Sequence, residues 1–255
     1  MRMLLPSAAD HLTDSDLDRV YAWPGDPERL PWLRANMVAT VDGAARAPDG
    51  LSGGISSEAD QRVFGRLRGL ADVVLAGAGT VRNEDYKPGR VRAELLDRRR
   101  AAGQTDVPVI AIVSRSLELD LDRDLFAKPT GRVVVITHEQ SDPLRRARVS
   151  DVTEVLVAGE SDVDLGVAVA GLRALGLARI HAEGGPHLLA DLAAADLLDE
   201  LLLSVTPLLA GGSYETGTAI PRILGGAPLP HAPRGVTLHH LLEEDDALFL
   251  SYRRG

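Results

Sequence analysis

The sequence predicts an α/β protein built on a mixed, mostly parallel sheet with an antiparallel edge at its C-terminus. Three observations carry that prediction. Through the middle of the chain, short apolar runs alternate with helically spaced segments, the pattern of strand–helix–strand units. The last two apolar runs, 235–242 and 247–253, are separated only by a short acidic turn, as in a hairpin. The stretch 178–190 reads as a buried strand, a Glu-Gly-Gly turn and a helix opening at Pro186, where a missing N–H costs nothing.

Taken in order, residues 1–31 are polar and punctuated by Pro6, Pro24, Pro27 and Pro31. They predict a short helix at 15–21 within a solvated N-terminal arm. Residues 33–43 form a strand ending in the Asp42-Gly43 turn, and Ser56-Ser57 precedes a helix whose apolar positions include Val63, Phe64, Leu67 and Leu70. A buried strand at 72–77 delivers the turn Gly77-Ala-Gly-Thr80. The charged region 82–103 predicts a loop and a helix, with Arg98, Arg99 and Arg100 on a solvated face. Strands follow at 108–114, 132–137 and 154–158, then a helix at 165–175. After the 178–190 stretch come a strand at 200–207, a loop punctuated by Gly211-Gly212 and Gly225-Gly226, and the closing hairpin. No linker or internal repeat divides the chain, so the expectation is one domain over 32–255 preceded by the arm 1–31.

Composition excludes several classes of function. At 45% hydrophobic and 25% charged, the 255 residues suit a soluble globular protein, and a net charge of −9 argues against nucleic-acid binding. The absence of cysteine removes disulfides, thiolate nucleophiles and cysteine-ligated zinc together. No signal-peptide pattern opens the chain, no run approaches the roughly twenty apolar residues of a membrane span, and the expected location is cytoplasmic. The seven histidines lack metal-ligand spacing, so no metal is expected; His239 and His240 would face opposite sides of a strand. The dinucleotide fingerprint G-x-G-x-x-G and the phosphate loop G-x-x-x-x-G-K-[ST] are both missing.

What remains is a set of turns at strand ends: 41–43, 52–57, 77–80 and 183–185. Gly184 and Gly185 allow close backbone approach to a ligand, and the helix starting at Pro186 offers free N–H groups and a positive dipole end to a phosphate or pyrophosphate. Glu183 lies at the carboxyl end of its strand, where open α/β sheets bind ligands.

The order of these motifs, Ala39-Thr-Val-Asp-Gly43, Ile55-Ser-Ser57, Leu67-Arg68, Gly77-Ala-Gly-Thr-Val81, Glu183-Gly-Gly185 and Leu197 through Gly212, resembles the RibD C-terminal family, the reductase domain of riboflavin biosynthesis. The resemblance covers about residues 32–253. It implies a dihydrofolate-reductase-like fold with helices on both faces of the sheet, and a homodimer. It also implies NADPH-dependent reduction of 5-amino-6-(5-phosphoribosylamino)uracil to its ribitylamino product. Many relatives carry a zinc deaminase that needs cysteines, and this chain has none, so it corresponds to the reductase alone.

Carried over by position, the resemblance places Gly184, Gly185, Pro186, His187, Leu188 and Leu189 at the cofactor pyrophosphate. Ala39, Gly54, Ser56, Gly77, Thr80 and Glu84 line the cofactor cleft. Ser52 and Arg68, with Arg90 or Arg92, hold the phosphorylated substrate, and Glu183 and Asn36 stand at the reacting group. His138 or Arg115 is expected at the 2′-phosphate. Asn36 stands where bacterial relatives often have lysine, and Glu84-Asp85-Tyr86 replaces a family Asp-Asn-Pro. These departures keep two alternatives open: a reductase of dihydrofolate or another pterin-like substrate, and a non-catalytic NADPH-binding protein.

Overall fold

The computed structural model describes residues 1–24, 31–214, 216–226 and 228–255; the part of the expected arm at 25–30 lies outside them. In chain order the strands are β1 (Arg2–Leu5), β2 (Trp32–Thr40), β3 (Val73–Gly77), β4 (Val109–Val113), β5 (Val133–Thr137), β6 (Glu154–Val157), β7 (Arg179–Ala182), β8 (Glu200–Thr206), β9 (Thr237–Glu244) and β10 (Ala247–Arg253). The helices are α1 (Asp14–Val20), α2 (Glu58–Leu70), α3 (Ala78–Asn83), α4 (Leu96–Ala101), α5 (Asp124–Ala127), α6 (Pro143–Ser150), α7 (Leu165–Ala174) and α8 (Pro186–Ala194). The chain divides into two compact units: residues 1–22, 33–66 and 183–255 form one, and residues 23–32 and 67–182 the other.

In the first unit the strand order is β1-β9-β10-β8-β2. β2 and β8 run parallel, in register from Arg34 opposite Glu200 to Thr40 opposite Thr206. β10 pairs antiparallel with both β8 and β9, which is the predicted terminal hairpin. Along β8, Glu200, Leu202, Ser204 and Thr206 are buried while Leu201, Leu203 and Val205 are half-buried, so the period of two separates a covered face from a more open one.

The expected solvated arm is instead part of this unit over residues 1–22. β1 pairs antiparallel with β9. α1 is capped by Thr13 in a reciprocal box with Asp16, and its Asp14 and Asp18 meet Arg62 and Arg66 of α2. Polar composition alone pointed to solvent. The Asp18 carboxylate is in fact buried against the Arg66 guanidinium, at 2.7 and 2.8 Å. Deeper in the unit, Ser251 Oγ and Arg253 Nε both donate to Glu200 Oε1, at 2.6 and 3.1 Å, beside the buried Arg34.

In the second unit the order is β7-β3-β4-β5-β6, every neighbour parallel. Buried β-branched and aliphatic residues fill it, among them Val74, Ile110, Ile112 and Val135, as expected for strands covered on both faces. Asp72 ties β7 to β3 by accepting the Ala178 and Arg179 N–H groups at 3.1 and 2.8 Å. The expectation of a solvated arginine run fails at its centre. Arg99 is buried and donates to the carbonyls of Gly69, Ala71 and Thr105, because α4 turns that one side chain inward while Arg98 and Arg100 face out. Helix α6, absent from the sequence reading, is signalled by Asp142-Pro143: the Asp side chain caps the Leu144 and Arg145 N–H groups and the proline opens the helix.

Candidate functional site

The turn between β7 and α8 is the centre of the candidate site. Gly184 sits at φ +76°, a conformation that favours glycine, and a Cβ there would lie 2.9 Å from Met37 Sδ and push that flexible side chain aside. Gly185 is the N-cap of α8 and supplies no side-chain cap, and Pro186 follows at the first helical position. His187 and Leu188 therefore keep N–H groups without intrahelical acceptors, aligned with the positive end of the helix dipole. This is the donor set that a pyrophosphate needs. Leu189 departs from expectation: its N–H already donates to Gly185 O at 3.0 Å and its side chain is core. His187 is exposed, and the Gly225-Gly226 turn lies against the first residues of α8, with Gly225 N–H donating to Pro186 O at 3.1 Å. Glu183, 7% exposed, immediately precedes this turn.

β2 supplies the neighbouring side chains of the same unit. Asn36 is buried and its amide donates to Leu202 O at 3.4 Å. Strand alternation turns Ala39 to the opposite sheet face from Asn36, so the two expected site residues do not share one surface. Ser52 and Gly54 lie at the 3₁₀ turn Gly53–Ile55; a Cβ on Gly54 would come within 2.7 Å of Ala47 Cβ, which gives that glycine a packing reason. Ser56 Oγ donates to Asp60 at 2.5 Å, and Ser57 Oγ accepts from the Asp60 N–H at the start of α2.

Asp42, which the sequence reading treated only as part of a turn, is a hub. Its carboxylate accepts the Thr40 hydroxyl and the Ala210 and Gly211 N–H groups, the last at 2.7 Å. The Thr40 hydroxyl above all, then the Gly211 amide, hold its pKa below the ordinary carboxylate value.

The second unit carries the remaining predicted residues. Gly77 is the N-cap of α3, and Thr80 lies in its first turn, its carbonyl taking the Glu84 N–H at 2.9 Å. Half-buried Arg68 places its guanidinium carbon 5.0 Å from the centre of the Tyr86 ring, a cation–π contact not foreseen from the sequence. Arg90 and Arg92 are exposed on the loop before α4. Arg115 pairs with Asp162 at 2.5 Å, so its charge is already matched, while His138 is half-buried just past the end of β5. Among the described residues no group of three His, Cys, Asp or Glu side chains is placed to hold a metal, and no helix is long and apolar enough to cross a membrane.

Comparison with known proteins gives concordant matches. A profile of the RibD C-terminal domain matches residues 31–229. The 2,5-diamino-6-ribosylamino-4(3H)-pyrimidinone 5′-phosphate reductase of Archaeoglobus fulgidus is 29% identical over 182 residues, 71% of this chain and 83% of the relative. The riboflavin biosynthesis protein RibD of Mycobacterium tuberculosis is 28% identical over 72% of this chain, which spans only 44% of that longer protein. Among solved structures, a pyrimidine reductase-like protein from Corynebacterium diphtheriae superposes with a TM-score of 0.78 at 24% identity, covering 93% of this chain and 98% of that one. That likeness speaks to the fold.

Proposed function

Because the chain belongs to the RibD C-terminal domain family, we propose that it uses NADPH to reduce the ribosyl side chain of 5-amino-6-(5-phosphoribosylamino)uracil to a ribityl side chain. The observation that carries the cofactor reading is the start of α8 behind the Gly184 turn, where no side chain caps the first N–H groups. Gly184, Gly185, His187 and Leu188 would hold the pyrophosphate, and Ala39, Gly54, Ser56, Gly77, Thr80 and Glu84 would line the remainder of the cofactor.

The reduction opens the sugar ring: C1′ gains a hydride, the C1′–O4′ bond breaks and O4′ gains a proton. When bound, NADPH supplies the hydride. The chain orients the reactants and handles the proton. Glu183 meets the polar edge of the pyrimidine or relays the proton, and Asn36 donates its amide to the substrate. Ser52 and Arg68, with Arg90 or Arg92, take the phosphate, for which a forked guanidinium is the suited donor. The half-buried apolar residues Leu201, Leu203 and Val205 of β8, with Leu248 and Leu250 of β10, support a homodimer through that face.

A second reading changes only the substrate: the diamino-pyrimidinone named for the archaeal relative, favoured by the 29% identity to that protein and by asparagine rather than lysine at position 36. The test follows NADPH oxidation at 340 nm with each pyrimidine and with dihydrofolate. The proposal expects turnover of a phosphorylated pyrimidine, with Arg68→Ala lowering kcat/KM by about 10- to 100-fold, the worth of one charge-assisted contact. The same substitution should leave a dephosphorylated substrate almost unaffected. Turnover of dihydrofolate alone, or NADPH binding with no turnover of any substrate, refutes it.

A further inference from the structure

We propose that Asp42 is a positioning residue: its carboxylate clamps an apolar ridge, Val41, Leu208 and Leu209, in place to receive the nicotinamide ring of the cofactor. This rests on the function proposed above. Thr40 and Thr206 are register partners, so β2 and β8 end side by side and their outgoing chains leave together. Val41 N–H donates to Leu208 O at 3.1 Å, joining the two exits. Just beyond, Val41 is 58% exposed, Leu208 44% and Leu209 81%. Three exposed large apolar residues thus lie on adjoining backbone at the carboxyl ends of parallel strands, the edge where sheets of this class take ligands. Ala39, the residue assigned to the cofactor cleft, lies on the same strand end, and its carbonyl accepts the Thr206 hydroxyl at 3.4 Å.

The loop that carries Leu208 and Leu209 continues into Ala210-Gly211-Gly212, a sequence with little conformational preference of its own. Asp42 grips its middle, through the Ala210 N–H at 3.1 Å and the Gly211 N–H at 2.7 Å, and Gly212 O accepts the Ile220 N–H at 3.1 Å beyond. The Thr40 hydroxyl fixes the carboxylate from the other side and in turn accepts the Ala44 N–H at 3.0 Å. The same turn reaches further along the loop, since Ala45 N–H donates to Pro221 O at 2.9 Å. A ridge held before the ligand arrives binds a flat ring more tightly than one that must be ordered on binding.

The experiment compares wild type, Asp42→Asn, Val41→Ser and the double variant. Asp42→Asn keeps the size of the side chain but leaves one acceptor oxygen where the carboxylate offers two to the Thr40 hydroxyl and the Ala210 and Gly211 N–H groups. Two readouts are taken: NADPH affinity by fluorescence titration, and the rate of thermolysin cleavage at the Leu208–Leu209 bond. The expected result for Asp42→Asn is cleavage at least tenfold faster and NADPH binding about 5- to 20-fold weaker, with Tm nearly unchanged because the loop is exposed. Val41→Ser, which leaves the cleaved bond unaltered, should weaken NADPH binding about threefold or more at the wild-type cleavage rate, and the double variant should bind no more weakly than Asp42→Asn alone. Faster cleavage with unchanged NADPH affinity, or single effects that multiply in the double variant, overturns the proposal while leaving the assigned reaction intact. Wild-type protein that binds no NADPH overturns the assigned reaction and this inference with it, whatever the cleavage rates.

Discussion

His240 should make this protein sensitive to mild acid. The residue sits on β9, 3% exposed, with its ring edge-on to Tyr21 at 5.1 Å between centroids, and its Nε2 has no hydrogen-bond partner. Burial pushes its pKa down from 6.5 to about 4; the Glu200 carboxylate opposes that, while His239, Arg253 and Arg34 add to it. Tyr21, packed against it from the end of α1, is neutral, and burial raises the phenol pKa further. The unfolded chain binds the histidine proton below pH 6.5 and the folded chain does not until about pH 4. The stabilising contribution is therefore complete above pH 6.5 and is lost progressively as the pH falls toward 4.

At about 1.4 kcal/mol for each tenfold change in proton affinity, the gap is worth about 3 kcal/mol. Urea titrations at a series of pH values from 7.5 to 4 should show that loss in the wild type. His240→Phe keeps an aromatic ring against Tyr21 and removes the titrating group. Its stability should fall less over the same range, by about 2–3 kcal/mol. Parallel pH profiles for the two proteins would refute the reasoning, because Glu200 and the surface carboxylates titrate in both.

Two further substitutions test the architecture. Gly184→Ala places an L-residue at φ +76° and a Cβ against Met37 Sδ; it should cost about 1–3 kcal/mol in a denaturant titration and weaken NADPH binding in a fluorescence assay. Arg66→Met strips the buried Asp18 carboxylate of its guanidinium and should cost about 3–5 kcal/mol. Limited proteolysis should then cut between residues 5 and 22, the segment that Arg66 secures, and a wild-type digestion pattern would show that β1 and the Asp14–Arg62 pair hold the arm without Arg66.

The sequence was informative where one physical signal dominated. Runs such as Val133-Val-Val-Ile-Thr137 have no other economical conformation than a buried strand, and Gly-Gly-Pro at 184–186 announces a turn into a helix. The joint order of the turns is enough to point to the family. Where local polarity and tertiary partner conflict, the reading failed. Arg99 and Asp18 look like solvent-facing charges, and only the carbonyls of Gly69, Ala71 and Thr105 or the guanidinium of Arg66 make their burial possible.

The same division runs through the candidate site. Short-range chemistry encoded the helix start at Pro186, the need for glycine at 184 and the Asp42-Gly43 turn, because each depends on neighbours a few residues away. The structure alone decided that Met37 sits under Gly184, that Leu189 has spent its N–H, and that Asp42 grips a loop 168 and 169 residues further along. Those are contacts between strand ends brought together by the register of β2 on β8, and register is a property of the assembled sheet rather than of any one segment.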